Sequence, residues 1–596
     1  MSYRAPISDL LFAITHEVGP DLDGKGLYED LADGLAETML VEAAKFAENR
    51  LAPLNRIGDR QGPTLAEGQV TSPPGFAEAY RQWALGGWNA VTGPPNYGGM
   101  GLPQLLNTAC IEIWNAANLS FSLCPLLTLG AIEALQAHGS ETLKTLYLKK
   151  LVSGEWTGTM NLTEPQAGSD LGLLKTRAER ESDGGYKLFG TKIFITYGEH
   201  DLADNIVHLV LARLPDAPPG THGLSLFLVP KFLVEADGRL GPRNDVFCSG
   251  LEHKLGIHGS PTCTMIFGDH GGATAYLVGE EHKGLACMFT MMNNARLNVG
   301  VQGVAIAERA TQQALAYAKE RRQGHAVGGK PGETMVILRH PDVARMLMTM
   351  KALTAAARAI CLMTAYAIDL SRRGKDAETR ERAAARAFLL TPVAKAFATD
   401  IANEVTSLGV QVHGGAGYIE ETGAAQLYRD ARILAIYEGT NGIQAIDLVQ
   451  RKLPLLRGEA VAREIADMQG VIAELVANES APFGHTELSL VAAVESLARA
   501  TEFLHNMAVL KPAAALAGAT AYLRLFALAR GGTALARGAL AAARLGATRH
   551  NDQSSEAHIV TARFFAEHIA SGASGLEFSI LEGAGSVEAG LSWLCA

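Results

Sequence analysis

A mainly helical chain with one β domain inserted into it, and an additional helical domain at its C-terminal end, follows from three features of the sequence. Residues 28–150 space their apolar side chains at helical period. After Trp156 the chain breaks into short β-branched and aromatic runs bounded by turn residues. Beyond Gly284 long helical patterns resume and end in an Ala-rich stretch. At 596 residues the chain exceeds what one hydrophobic core supports, so it divides into 1–155 (N-terminal helical), 156–283 (middle β), 284–455 (helical bundle) and 456–596 (additional helical).

In the first segment, Gly62-Pro63, Ser72-Pro73-Pro74-Gly75 and Thr92-Gly93-Pro94-Pro95 interrupt the helical pattern. In the second, 186–196, 205–214, 223–229 and 262–267 read as strands, with Pro215-Asp216-Ala217-Pro218-Pro219-Gly220 as a turn. In the third, a helix opens at His340-Pro341-Asp342, where Pro suits the first turn and Asp the positive end of the dipole. Val343, Met346, Leu347, Met350 and Leu353 share one face of it, and the methionines read as packing. The charged stretch Ser371-Arg372-Arg373-Gly374-Lys375-Asp376 separates it from the next helix. The last segment breaks near Ala481-Pro482-Phe483-Gly484-His485. Its Arg530, Arg537 and Arg544 recur every seven residues on one helix face, which reads as solvated or as an interface, and no catalytic constellation stands out there.

A net charge of -10 and a pI near 6.0 argue against nucleic acid or an anionic membrane as main partner, so a phosphate-bearing ligand has to be held by local groups. The seven cysteines show no C-x-x-C or short Cys/His spacing, which indicates neither a metal site nor a disulfide framework. Met1-Ser2-Tyr3-Arg4-Ala5-Pro6 lacks the charged-then-apolar pattern of a leader, and no run reads as long enough to span a bilayer. The expectation is a soluble cytoplasmic protein.

Two stretches carry chemistry on their residues alone. In Ile436-Tyr437-Glu438-Gly439-Thr440-Asn441-Gly442-Ile443-Gln444, a Glu follows the apolar run Ile433-Leu434-Ala435-Ile436. Poor solvation there raises its pKa toward the range of a proton acceptor, the alternative being an ordinary helix-terminal Glu. Met160-Asn161-Leu162-Thr163-Glu164-Pro165-Gln166-Ala167-Gly168-Ser169-Asp170 offers hydroxyls and backbone N–H groups to a polar ring edge or phosphate, the alternative being a capped turn.

The string Leu-Thr-Glu-Pro-x-Ala-Gly-Ser-Asp within that second stretch resembles the flavin-contacting loop of the acyl-CoA dehydrogenases, and four further segments match in order, so the resemblance spans residues 30–450. Lys192-Ile193-Phe194-Ile195-Thr196 resembles the strand that packs an aromatic ring and a hydroxyl on the flavin, with Phe194 where many members have Trp. Ala318-Lys319-Glu320-Arg321-Arg322-Gln323-Gly324 resembles the segment that reaches the FAD of the neighbouring subunit. Gly324 follows Gln323 directly, so only Arg321 and Gln323 carry over. Gln411-Val412-His413-Gly414-Gly415-Ala416-Gly417 resembles the pyrophosphate turn, where glycine lets backbone N–H groups approach phosphate. It is not a dinucleotide fingerprint, because no strand pattern precedes it and Glu420 stands where a third Gly is needed. Tyr-Glu-Gly-Thr is the family's base motif, which makes Glu438 the base. The family's other base position, before an Arg matched here by Arg296, holds Ala295. Gly442 stands where many members have Gln or Asp.

The resemblance implies FAD as cofactor, framed by Met160, Leu162, Thr163, Gly168, Ser169, Phe194 and Thr196, with Thr440 and Asn441 beside it. Arg321, Gln323, Gln411, Gly414 and Gly415 close the site across a subunit boundary. Ser169, Arg296, Tyr437 and Gly439 are the implied substrate contacts. The implied reaction is α,β-dehydrogenation of an acyl-CoA to trans-2-enoyl-CoA in a homodimer, with an electron-transfer flavoprotein as acceptor and with neither nucleic acid nor a membrane span involved. The extra domain, Ile195-Thr196-Tyr197-Gly198-Glu199-His200-Asp201, Lys254-Leu255-Gly256-Ile257-His258-Gly259-Ser260 and His340-Pro341-Asp342-Val343 resemble the longer branch grouped with 3-methylmercaptopropionyl-CoA dehydrogenase. That branch points to this thioester or to short and medium straight chains. Two rivals are an acyl-CoA oxidase using dioxygen and a DNA-associated alkylation-response flavoprotein, which needs a basic C-terminal patch. Ser120-Phe121-Ser122-Leu123-Cys124-Pro125-Leu126-Leu127 reads equally as acyl-pocket lining or as core.

Overall fold

Eight strands form the central sheet of the computed structural model, which describes residues 3–18, 27–31, 34–182, 184–325, 334–478, 483–548 and 553–596. They are β1 (Trp156–Asn161), β2 (Arg177–Arg180), β3 (Tyr186–Thr196), β4 (Asn205–Arg213), β5 (Leu224–Pro230), β6 (Val246–Leu251), β7 (Thr262–Phe267) and β8 (Ala273–Val278). The order is β6-β7-β3-β8-β5-β4-β1, with β2 against β3 and β4. The β1–β4 pairing is parallel and β4–β5 antiparallel.

The apolar runs of β4 and β5 are nearly continuous because both faces are covered. Leu209, Leu211, Leu226 and Leu228 join one cluster with α1 (Leu119–His138), Tyr147, Trp156, Met288 and Met291. Val210, Ala212, Phe227 and Val229 join the opposite cluster with Cys263, Met265 and Phe267. One polar exception, His208, stands 2.8 Å from the Thr159 hydroxyl, and burial lowers its pKa to about 3. At Gly158 an added Cβ would come within 2.4 Å of Ala131, so only glycine lets β1 lie this close to α1.

The Ser120 to Leu127 stretch is core. Each of those residues is buried in α1, and Phe121 meets Phe76 and Trp83 edge-on. Two helices correct the expectation that no run is long enough for a bilayer: α1 and Pro341–Arg373 have the length and hydropathy, with 89% and 78% of the relevant windows buried inside the protein. Their apolar side chains face neighbouring protein.

Two compact units emerge from the contacts. One comprises Lys45–Pro103 and Ala117–Ala295, including the sheet. The other comprises Met1–Ala44, Gln104–Ala116 and Arg296–Ala596. The second unit is built on α2 (Gly284–Glu320, from Arg296 onward), α3 (Pro341–Arg373) and α4 (Ala377–His413). The small residues Gly300 and Gly303 let α2 run against Ala394 and Ala398 of α4. Met346, Leu347, Met350 and Leu353 are buried on α3, as their spacing predicts.

Three further helices belong to this unit: α5 (Asn441–Asp447), α6 (Glu459–Val476) and α7 (Thr486–Leu510). Of the break between α6 and α7, Ala481 and Pro482 lie outside the described residues. The long helix α8 (Ala519–Thr548) carries the arginine heptad, and here the expectation fails. Arg530 is 0% exposed. Its Nη1 donates to Asp467 at 2.5 Å and to Glu464 at 3.3 Å, while Arg537 donates to Asp467 at 2.8 Å and Arg386 of α4 binds Glu464. Glu464 and Asp467, three apart on α6, turn the cationic stripe inward, and only Arg544 is exposed. Burial works against Asp467, yet Arg530 and Arg537 hold its pKa at about 2. Gly531 of α8 lies directly over Ala356 of α3, where an added Cβ would stand at 2.9 Å.

Candidate functional site

The chain leaves the single 3-10 turn Arg432–Ala435 and enters α5 through a turn held in left-handed backbone, φ +60° at Glu438 and +86° at Gly439. Left-handed backbone is costly for a non-glycine residue and marks a site where the surroundings over-determine the geometry. They do so here through the two carbonyls. The Glu438 carbonyl accepts from Arg296 Nε and Gln444 Nε2, each at 3.3 Å, and the Gly439 carbonyl accepts from Lys395 Nζ at 2.9 Å and Gln444 Nε2 at 3.4 Å. With φ at +86° a side chain at position 439 would be strained, and its Cβ would also press on Gln444 Nε2 at 2.8 Å, so glycine suits the turn. Thr440 caps α5 by accepting from Ile443 N–H at 3.3 Å.

The Glu438 carboxylate accepts no hydrogen bond from any described residue. Burial raises its pKa to about 7, against the opposing charges of Arg296 and Lys395. Its backbone N–H likewise has no partner among the described residues. Beside it, the Tyr437 hydroxyl donates to Gln302 Oε1 at 2.5 Å, and Gln302 donates to Asn115 at 3.2 Å. The Asn441 amide is spent inward: Nδ2 donates to Asp400 at 2.6 Å, Thr399 at 2.9 Å and the Ala396 carbonyl at 3.2 Å, while Oδ1 accepts from Lys395 at 2.8 Å. Of the expected contacts in this unit, Arg296, Tyr437, Glu438, Gly439, Thr440 and Asn441 thus come together. Lys395 and Gln302 are not singled out by the sequence, and Gln444, inside the stretch that is, is given no role by it. A lone cation in the run Val393-Ala394-Lys395-Ala396-Phe397 is a signal of a buried partner.

Elsewhere in this unit, Gln411 lies in the last turn of α4, and Gly414 and Gly415 follow the helix, all three exposed. Gly414 has φ +59°, and an added Cβ at either glycine meets nothing within 4 Å. Arg321 and Gln323 are exposed on a stretch after α2 that bridges back to 335–337: Gln323 N–H donates to Met335 O at 3.0 Å, and Ile337 N–H to Arg321 O at 2.8 Å.

In the sheet unit, Met160, Leu162 and Thr163 leave β1 and lead to exposed Gly168 and Ser169. The loop is pinned by buried Glu164, which accepts from Lys192 Nζ at 2.8 Å, Thr176 Oγ1 at 2.6 Å, Gln166 Nε2 at 2.6 Å, Lys175 N–H at 2.7 Å and Thr176 N–H at 3.0 Å. Lys192 also donates to the Leu162 carbonyl at 2.9 Å. Burial opposes the glutamate's charge, but Lys192 and these donors hold its pKa at about 2. On β3 the register against β7 slips between Lys192 and Ile195. In that bulge Phe194 has φ +60° and is 57% exposed, two residues before Thr196. An exposed aromatic face, hydroxyls and glycines with open space in front of them fit a flavin ring and its phosphates.

Residues 36–155, 159–270 and 282–453 match the N-terminal, middle and C-terminal domains of acyl-CoA dehydrogenase, and 464–589 match an acetyl-CoA dehydrogenase C-terminal-like domain. The chain is 47% identical to 3-methylmercaptopropionyl-CoA dehydrogenase of Ruegeria pomeroyi over 96% of both chains. It belongs to the acyl-CoA dehydrogenase family. A butyryl-CoA dehydrogenase of Syntrophomonas wolfei is 37% identical, covering 75% of this chain and 74% of that one. An acyl-CoA dehydrogenase of Bacillus anthracis solved with FAD shares the fold at TM-score 0.73 and 22% identity, covering 94% of this chain and 91% of that one. As a family member this acyl-CoA dehydrogenase is an FAD-dependent oxidoreductase.

Proposed function

We propose that this acyl-CoA dehydrogenase makes trans-2-enoyl-CoA with Glu438 as the base that removes the α-proton. The observation that carries this is a carboxylate without a hydrogen bond among the described residues, held on a left-handed turn, with burial raising its pKa to about 7. A base poised there accepts a proton near neutrality. A thioester α-proton is only weakly acidic, so the forming enolate oxygen needs a donor, and the unpartnered Glu438 N–H is suited to that part. Bound FAD supplies the acceptor for the hydride that leaves the β-carbon. Met160, Leu162, Thr163, Gly168, Ser169, Phe194 and Thr196 frame it, and Arg321, Gln323, Gln411, Gly414 and Gly415 close the site across the subunit boundary of a homodimer. Ser169, Arg296, Tyr437 and Gly439 border the substrate. Segments 1–155, 156–283, 284–455 and 456–596 are the working domains.

The substrate is 3-methylmercaptopropionyl-CoA together with short straight-chain thioesters. The relatives' activities on a thioether and on butyryl-CoA support this, and a pocket shaped for one distinguishes the other by only about 1–3 kcal/mol. Electrons pass to an electron-transfer flavoprotein in the cytoplasm. The oxidase and DNA-associated readings draw no support, and the arginines of α8 that a DNA surface would use are turned inward at 530 and 537.

Glu438→Gln tests the reading. It keeps FAD and binds butyryl-CoA, but reduces flavin at least about 10²-fold more slowly in stopped flow. Reduction near the wild-type rate places the base elsewhere. Arg321→Ala loses FAD on gel filtration while its far-UV spectrum is unchanged; full flavin occupancy counts against the shared site.

A further inference from the structure

Lys395 has no solvent exposure and lies in an apolar stretch of α4. A buried ammonium group is tolerated only when bonded, and this one spends itself on the Gly439 carbonyl and Asn441 Oδ1, the two positions that bracket Thr440 just after the base. Asn441 is locked in turn by Thr399 and Asp400, one helical turn further along α4. The Glu438 and Gly439 backbone therefore keeps its left-handed conformation by gripping a cation on each side, Arg296 at one carbonyl and Lys395 at the next.

Charge points the same way. Glu438 faces Arg296 and Lys395. Lys395 faces Glu438, Asp400 and Arg296. Asp400 faces Arg524 and Glu404 as well, and Arg296 faces Asp447 and Arg451. We propose that Lys395 is a positioning residue for the base: its ammonium group clamps the turn through the Gly439 carbonyl and Asn441, and its charge favours the ionised carboxylate of Glu438. The inference rests on Glu438 being the base. Burial, opposed by Glu438 and Asp400, brings Lys395 itself to about 7, so lysine and glutamate exchange charge over the same pH range.

The test is the pH profile of flavin reduction by butyryl-CoA in FAD-loaded Lys395→Gln, whose amide still donates to one of the two acceptors without the charge. The acid limb is expected to move up by about 1 pH unit, costing about 5-fold at pH 7 and recovering as pH rises, with FAD content and butyryl-CoA affinity unchanged. Lys395→Arg, which keeps the charge, keeps the limb. The infrared carboxyl band of Glu438, assigned by difference against Glu438→Gln, persists to higher pH in Lys395→Gln. A profile scaled down equally at every pH, or an unmoved limb, overturns the proposal. If Lys395→Gln does not fold, Lys395→Met is read in the same way, and failure of both to form FAD-loaded protein also overturns it, because the residue then serves the fold. Normal flavin reduction in Glu438→Gln removes the base reading itself. Inactivity there with an unmoved limb in Lys395→Gln removes only the role of the lysine.

Discussion

In the 162–169 loop the buried lysine, Lys192, bonds its glutamate directly. At the Glu438 turn the buried lysine, Lys395, bonds the neighbouring carbonyl. The residue types are the same and both lysines are fully buried; Glu164 is buried and Glu438 half-buried, yet Glu164 is held at about 2 and Glu438 rises to about 7. What differs is where the hydrogen bonds land. Five donors on a carboxylate make it a permanent anion that fixes a loop, whereas donors placed on backbone oxygens fix the turn and leave the carboxylate short of partners.

The largest effect expected from that contrast is Lys192→Met, which strands Glu164 in the protein. Loss of one partner of a buried pair costs about 3–5 kcal/mol, read as a fall in urea midpoint. Lys192→Met combined with Glu164→Gln recovers most of it; if the double variant is no better than the single, Glu164 is not the reason.

Next in size is a stabilisation. A carboxyl whose folded pKa is raised contributes stability below its unfolded pKa that is lost as pH rises through the folded value. For Glu438 that window runs from 4.5 to about 7 and is worth up to about 3 kcal/mol. Glu438→Gln, which cannot ionise, keeps that stability, so its melting temperature exceeds the wild type's at pH 7.5 and equals it near pH 4. Glu164 has the opposite sign: its contribution, present above 4.5, is lost as pH falls toward about 2, so Glu164→Gln is less stable at neutral pH and the gap closes in acid. Equal pH dependence in the two variants erases the contrast.

The smallest effect is Thr176→Val, which removes one donor to Glu164 and leaves the other four. It costs about 1 kcal/mol in the same urea titration. A cost as large as that of Lys192→Met means the hydroxyl, not the cation, holds the loop.

Strands were legible where the chain spells a continuous apolar run, as in β4 and β5. They were not in β1, whose buried Thr157, Thr159 and Asn161 read as polar, or in β2, a charged strand at Arg177–Arg180. Sequence located Glu438 because its motif is local. It could not locate Lys395 or Gln302, because what recruits them is the direction in which a distant turn points the Gly439 carbonyl and the Tyr437 hydroxyl, and it gave no role to nearby Gln444 because that depends on the same carbonyls. The heptad of arginines failed for a related reason: a face of one helix does not say which charges stand opposite, and Glu464 and Asp467 are more than sixty residues away.

That inward salt-bridge cluster bears on modularity. Glu464 is shared between Arg386 of the bundle and Arg530 of the last domain, and Gly531 seats α8 directly on Ala356. A chain cut near residue 456 would lose the anion that neutralises Arg386 and bare the small-residue face of α3 beside it. The last helices are therefore not an attachment that can be trimmed or transplanted: domain-swap engineering in this enzyme has to carry α6 and α8 along with the bundle they complete.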